Sequence, residues 1–179
     1  MLLPKAWEKD AKDAIEVNFD LDNGTPIFAL GKSAPARSTD SQYGPAKGVL
    51  LIAKTLDDCN VPAAFYMLAA SAMLTPPMTP LITNSGKSEV ALHGYIHEPV
   101  EVLDKGPEEK RRLSQPIDCS AKQTGKRPVG SRRAGWAVSN RTIGIDLLYD
   151  SSMANPTRPR MVHCMPAPLS SPGVGGTRC

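Results

Sequence analysis

Glu89-Val90-Ala91-Leu92-His93-Gly94-Tyr95-Ile96-His97-Glu98 reads as a short apolar strand that delivers a histidine, with a second histidine four positions on. Two imidazoles at that spacing reach the same side of one helical turn, so the segment predicts a strand followed by a helical pair of ligating side chains. About seventy residues earlier, Phe19-Asp20-Leu21-Asp22 closes another apolar run with two carboxylates that leave an extended strand on one face. Each stretch has an ordinary reading on its own: one buried and one surface histidine, and a strand ending in the solvated turn Asn23-Gly24-Thr25-Pro26. Together, at the carboxyl ends of predicted strands, they read as a mononuclear metal site, because α/β folds gather their sites there.

Working outward, the punctuation is that of an α/β chain. Ala14-Ile15-Glu16-Val17-Asn18-Phe19 predicts the first strand, and the apolar positions Val49, Leu50, Ile52, Ala53 and Leu56 predict an amphipathic helix over 47–59. Val61 to Met67 is the second strand and Glu89 to Leu92 the third, and strand, helix, strand in that order argues for parallel pairing. The stretch 23–45 is a long loop rich in Gly, Ser and Pro, of the length usually kept for function or mobility. Pro76, Pro77 and Pro80 oppose a regular helix between the second and third strands, since each interior proline costs about 3 kcal/mol. Pro116 predicts a kinked or shortened helix within 107–125.

Composition narrows the classes. A chain of 179 residues with 41% hydrophobic residues suits one domain with a sizeable core, and a net charge of +3 selects no partner. Lys122, Lys126, Arg127, Arg132 and Arg133 cluster without interleaved aromatic residues, which argues against nucleic acid and for a solvated loop. No apolar run approaches the roughly 20 residues of a membrane span, and the early charges Lys5, Glu8, Lys9 and Asp10 oppose a signal peptide. Cys59, Cys119, Cys164 and Cys179 contain no C-x-x-C pair, so neither a zinc ribbon nor a disulfide framework is indicated and the cytoplasm is the expected location. Met67, Met73 and Met78 read as packing residues, since a hard hydrolytic site does not favour thioethers.

The pieces V-N-F-D-L-D-N-G, Y-G-P-A-K-G-V, N-V-P-A-A-F-Y-M, E-V-A-L-H-G-Y-I-H-E, T-G-K-R-P-V-G-S-R-R-A-G-W and Y-D-S-S-M follow one another over Pro4 to Met153. In that order the chain resembles the polysaccharide deacetylase superfamily, the NodB homology domain, and most of all its branch of peptidoglycan-deacetylase-like and allantoinase-like amidases. The resemblance implies a deformed (β/α) barrel, incomplete here, and a metal-dependent hydrolase of non-peptide carbon–nitrogen bonds. It implies a divalent metal, zinc first and nickel, cobalt or iron(II) as alternatives, on Asp22, His93 and His97. It implies Asp20 as the base that activates water on the metal, Arg132 as the residue that orients the base, and the Gly135 amide as part of an oxyanion site. Tyr43 and Trp136 would border the substrate, an N-acyl sugar or a small amide, and homo-oligomers are common in the branch.

Elementary chemistry agrees with this division of labour. Three protein ligands leave a coordination position open, so a bound water is acidified and a carbonyl can be polarised, and a carboxylate kept ionised by an arginine can take the proton. Two histidines and one carboxylate also suit iron(II) oxygenases, so the ligands alone select neither metal nor reaction.

The chain departs from the pattern in several places. Ala134 stands where the family has proline, Arg133 where it has a small residue, and Ala137 where it has an acidic or polar one; Thr142 to Tyr149 is about one turn of 3.6 residues short. After Met153 the family adds strands and a general-acid histidine, whereas 154–179 is rich in Pro, Gly and Ser and is expected to be disordered, with His163 as a conceivable replacement acid. A missing closing segment would leave sheet edges exposed and favour self-association. Two further readings follow: a catalytically impaired remnant that retains metal or carbohydrate binding, and an interaction protein whose basic loop meets acidic partners.

Overall fold

The computed structural model describes residues 15–29, 31, 41–99, 107–136, 147–152 and 163–164, with backbone alone for 107–113 and 163–164. Its centre is a six-stranded sheet in sequence order: β1 (Asn18–Leu21), β2 (Ala64–Met67), β3 (Glu89–Leu92), β4 (Gly130–Ser131), β5 (Tyr149–Asp150) and β6 (His163–Cys164). The first five strands are parallel, and β6 returns antiparallel on β5, pairing His163 with Asp150. The first strand therefore starts later than the alternation predicts, the second is shorter, and the third has the predicted bounds.

Strand parity sorts the side chains. Phe19 and Leu21, Phe65 and Met67, and Val90 join one apolar cluster with Val49, Leu56, Met78 and Ile82 of the covering helices. The opposite face carries Asn18, Asp20, Ala64, Tyr66, Glu89, Ala91, Gly130 and Tyr149, which stand level with one another in the register. Small residues on this face make room for large ones. A methyl group on Gly130 would run into the Tyr149 ring, so only glycine admits that ring beside β4.

The helices follow the same economy of packing. A short α1 (Thr25–Ala29) begins where Thr25 bonds the Asp22 carbonyl through both its amide and its hydroxyl. A π-helical turn, Gly44–Gly48, leads into α2 (Val49–Asp58), which buries Val49, Ala53 and Leu56. Leu50, expected in that stripe, is instead 46% exposed. The helix ends with Asn60 left-handed at φ 56°, its amide on the Asp57 carbonyl and that of Val61 on the Leu56 carbonyl, a Schellman closure.

The prolines after β2 divide the connection into α3 (Ala69–Leu74) and α4 (Met78–Thr83), with Pro76 and Pro77 in the gap and Pro80 in the first turn of α4. Pro116 acts differently. It lies inside α5 (Pro107–Thr124), which continues past it for two turns, so the helix is not shortened; the ring is fully buried, and its packing offsets the missing backbone bond. Against the sheet α5 places Ile117 on Leu92 and Leu147. No described helix is long and apolar enough to cross a membrane.

The segment 154–179 lies outside the described residues except at 163–164. There His163 and Cys164 pair with Asp150 and Tyr149 of β5. The shortened stretch after Thr142 also lies largely outside the described residues.

Candidate metal centre

The predicted metal ligands, Asp20 and Arg132 gather at the carboxyl ends of parallel strands, whereas Tyr43 lies on the connection before the π turn. Asp20 and Asp22 come from the end of β1, His93 follows β3, Arg132 follows β4, and Ser151 and Ser152 follow β5. Ligating atoms of Asp22, His93 and His97 all lie within 4.8 Å of one another. His93 Nε2 is 3.4 Å from Asp22 Oδ1, and His97 Nε2 is 4.0 Å from Asp22 Oδ2.

One part of the expectation is corrected. His93 and His97 occupy a loop rather than a helical turn. Gly94 at φ 111° and His97 at φ 65° are incompatible with a helix, and the Gly94 and Tyr95 carbonyls accept the amides of Ala69 and Ala70 at the start of α3. The Glu98 carboxylate accepts the Tyr95 and Ile96 amides at 3.4 and 3.2 Å and folds the loop back, so both imidazoles still reach one side.

Buried His93 bonds through Nδ1 to the Arg132 carbonyl at 2.7 Å. The carbonyl can only accept, so Nδ1 carries a proton and Nε2 is the nitrogen that faces Asp22. An imidazole nitrogen and a carboxylate oxygen 3.4 Å apart suit a proton or a cation between them. Consistently, Asp22 Oδ1 is buried without a hydrogen-bond partner. Burial pushes the Asp22 carboxyl up, but close polar contact with His93 and the charges of His93 and His97 outweigh it and hold the carboxyl below its ordinary value. The contact is electrostatic at this distance rather than a formed hydrogen bond. Two imidazoles, one carboxylate and an unsatisfied oxygen fit a divalent metal.

Arg132 organises the neighbouring half of the site. Its side chain is 2% exposed, and Nη1 donates to Asp20 Oδ1 at 2.8 Å and to Asn18 Oδ1 at 2.6 Å. Nε and Nη2 both donate to Ser151 Oγ, at 3.1 and 2.7 Å, and the guanidinium carbon sits 4.0 Å from the Tyr66 ring centre. Arg132 and Arg133 are thus buried and belong to no solvated basic loop, unlike the exposed Lys122, Lys126 and Arg127.

Of the residues expected to border the substrate, Gly135 adjoins His97 and Trp136 adjoins Arg132. Gly135 is left-handed at φ 63°, and a methyl on it would lie 3.8 Å from His97 Cε1. Trp136 is 41% exposed with its ring 5.9 Å from the Arg132 guanidinium. Tyr43, 66% exposed, precedes the π turn whose Gly44 faces the Asn23 side chain. Sequence reasoning missed Asn18, Tyr66 and Ser151, although all three lie within motifs it had singled out, and parity with Asp20 points to Asn18.

A curated peptidoglycan deacetylase-like protein of Gibberella zeae is 31% identical over 164 residues, covering 85% of this chain and 46% of the relative. A crystal structure described as a polysaccharide deacetylase from Mycobacterium smegmatis superposes with a TM-score of 0.73 at 29% identity, over 86% of this chain and 56% of that one. The chain belongs to the polysaccharide deacetylase superfamily. Its architecture is the (β/α) barrel type of that superfamily, shared in fold with an allantoinase at a TM-score of 0.68 and 18% identity, over 87% of this chain and 62% of that one. No protein-family model matches this superfamily member. The chain spans about half the length of the relatives it matches.

Proposed function

We propose that the chain is a metal-dependent hydrolase of non-peptide amide bonds, acting as a deacetylase on an N-acyl sugar or a small amide. The observation that carries this reading is the convergence of Asp22, His93 and His97 around an unpartnered buried oxygen. Those three residues would hold the metal, zinc first and nickel, cobalt or iron(II) next. When bound, such an ion supplies acidified water and a polarised carbonyl.

The chain's own residues do the rest. Asp20 takes the proton of the attacking water, and the buried Arg132 keeps Asp20 aimed. The Gly135 amide donates to the oxygen on which charge develops, while Tyr43 and Trp136 border the substrate. Asp20 then gives that proton to the nitrogen as the carbon–nitrogen bond breaks, and a carboxylic acid and an amine leave.

Elemental analysis of the purified chain tests the reading. The wild type is expected to hold about one divalent ion per chain, and a His93→Ala, His97→Ala double variant none. No metal in a folded wild type, even after loading, would sink the hydrolase reading. Metal uptake without release of acetate from an N-acetylated hexosamine oligomer would instead establish binding without turnover.

A further inference from the structure

We propose that Ser151 is a positioning residue: its hydroxyl oxygen fixes the Arg132 guanidinium so that one of its N–H groups stays on Asp20. The proposal rests on the reading of Asp20 as the base. Arg132 presents five donors in a rigid fork, and the fork is held from two sides. On one side Ser151 Oγ accepts from Nε at 3.1 Å and from Nη2 at 2.7 Å; on the other, Nη1 divides between Asn18 and Asp20. Tyr66 closes the face of the plane at 4.0 Å.

Burial makes the serine matter. Arg132 and Ser151 are both shielded from water, so a guanidinium that lost the Ser151 oxygen would leave two buried N–H groups unmet and would turn to find other acceptors. That rotation takes Nη1 off Asp20. The choice of a hydroxyl also has a consequence for charge. Ser151 and Asn18 are neutral acceptors, and Asp20 is the carboxylate that pairs with Arg132, so the full cationic field falls on the proposed base. A carboxylate at 151 would divide it. Ser151 touches neither Asp22 nor the histidines among its bonds, so its loss should leave metal binding alone.

The test is nitrogen-15 NMR of the arginine side chains together with kinetics, on the full zinc-loaded chain. In the wild type the Arg132 Nη hydrogens should be separately resolved, because a fork fixed on both sides cannot rotate freely. Ser151→Ala should merge those signals, keep zinc, and lower kcat on an N-acetylated hexosamine oligomer on the order of 100-fold with KM little changed. Ser151→Thr should restore the resolved signals. Averaged Nη signals in the wild type overturn the proposal without any variant, as do unchanged signals and unchanged kcat in Ser151→Ala. If the wild type hydrolyses no amide while Ser151→Ala still merges the signals, the positioning role stands and the hydrolase reading fails.

Discussion

A single residue joins the two halves of this site. The Arg132 carbonyl accepts from His93 and its guanidinium donates to Asp20, so backbone and side chain of one position hold a proposed metal ligand and the proposed base separately. Substitution at Asp20 should therefore separate chemistry from metal binding. Asp20→Asn keeps the shape but cannot accept a proton, and should lower turnover roughly 100-fold or more while zinc content stays at the wild-type level; parallel elemental analysis and acetate release check it. The five chief residues, Asp20, Asp22, His93, His97 and Arg132, were legible because motif order and strand-end position named them. Ser151 and Asn18 were not, because a neutral acceptor carries no signature in sequence until the buried cation it serves is located.

At the level of elements, the legible parts were those governed by periodicity and the illegible ones those governed by tertiary bonds. The third strand and the buried stripe of α2 follow from apolar spacing, and the broken connection after β2 follows from Pro76 and Pro77. The histidine loop does not, because its course is set by bonds to α3 and to Glu98 that lie outside the i, i+4 pattern. Pro116 misled for a similar reason, its burial being invisible to a propensity argument. The pairing of β4 with β5 offers a direct check. Gly130→Ala would drive a methyl into the Tyr149 ring and should cost about 1–3 kcal/mol in denaturant unfolding. Combined with Tyr149→Ala, the same substitution should cost less than the two changes added.

On the scale of the whole molecule, the sheet's polar face binds stability to pH. Burial first, and then the hydrogen bond and charge of Glu89, push the Tyr149 hydroxyl far above its ordinary value of 10.0; Tyr66 is raised too, chiefly by burial. The unfolded chain releases these protons near 10.0 while the folded chain keeps them, so their contribution is complete below that pH and is lost as pH rises above it. Unfolding midpoints should thus fall between pH 9 and 11, and fall less steeply in Tyr149→Phe, as titrated denaturation curves would record. The class of fold was readable in the alternation of elements, whereas this tyrosine layer was not, since it depends on which strands become neighbours. That neighbourhood also determines what an ion would do mechanically. Among the described residues β1 is bonded to a partner on one side only, yet Asp22 just past it would supply one ligand, while the other two would come from the loop after β3, two strands away. An ion held by these residues would tie the strand most able to peel away to the interior of the sheet, so losing it would loosen the very segment that carries the proposed base.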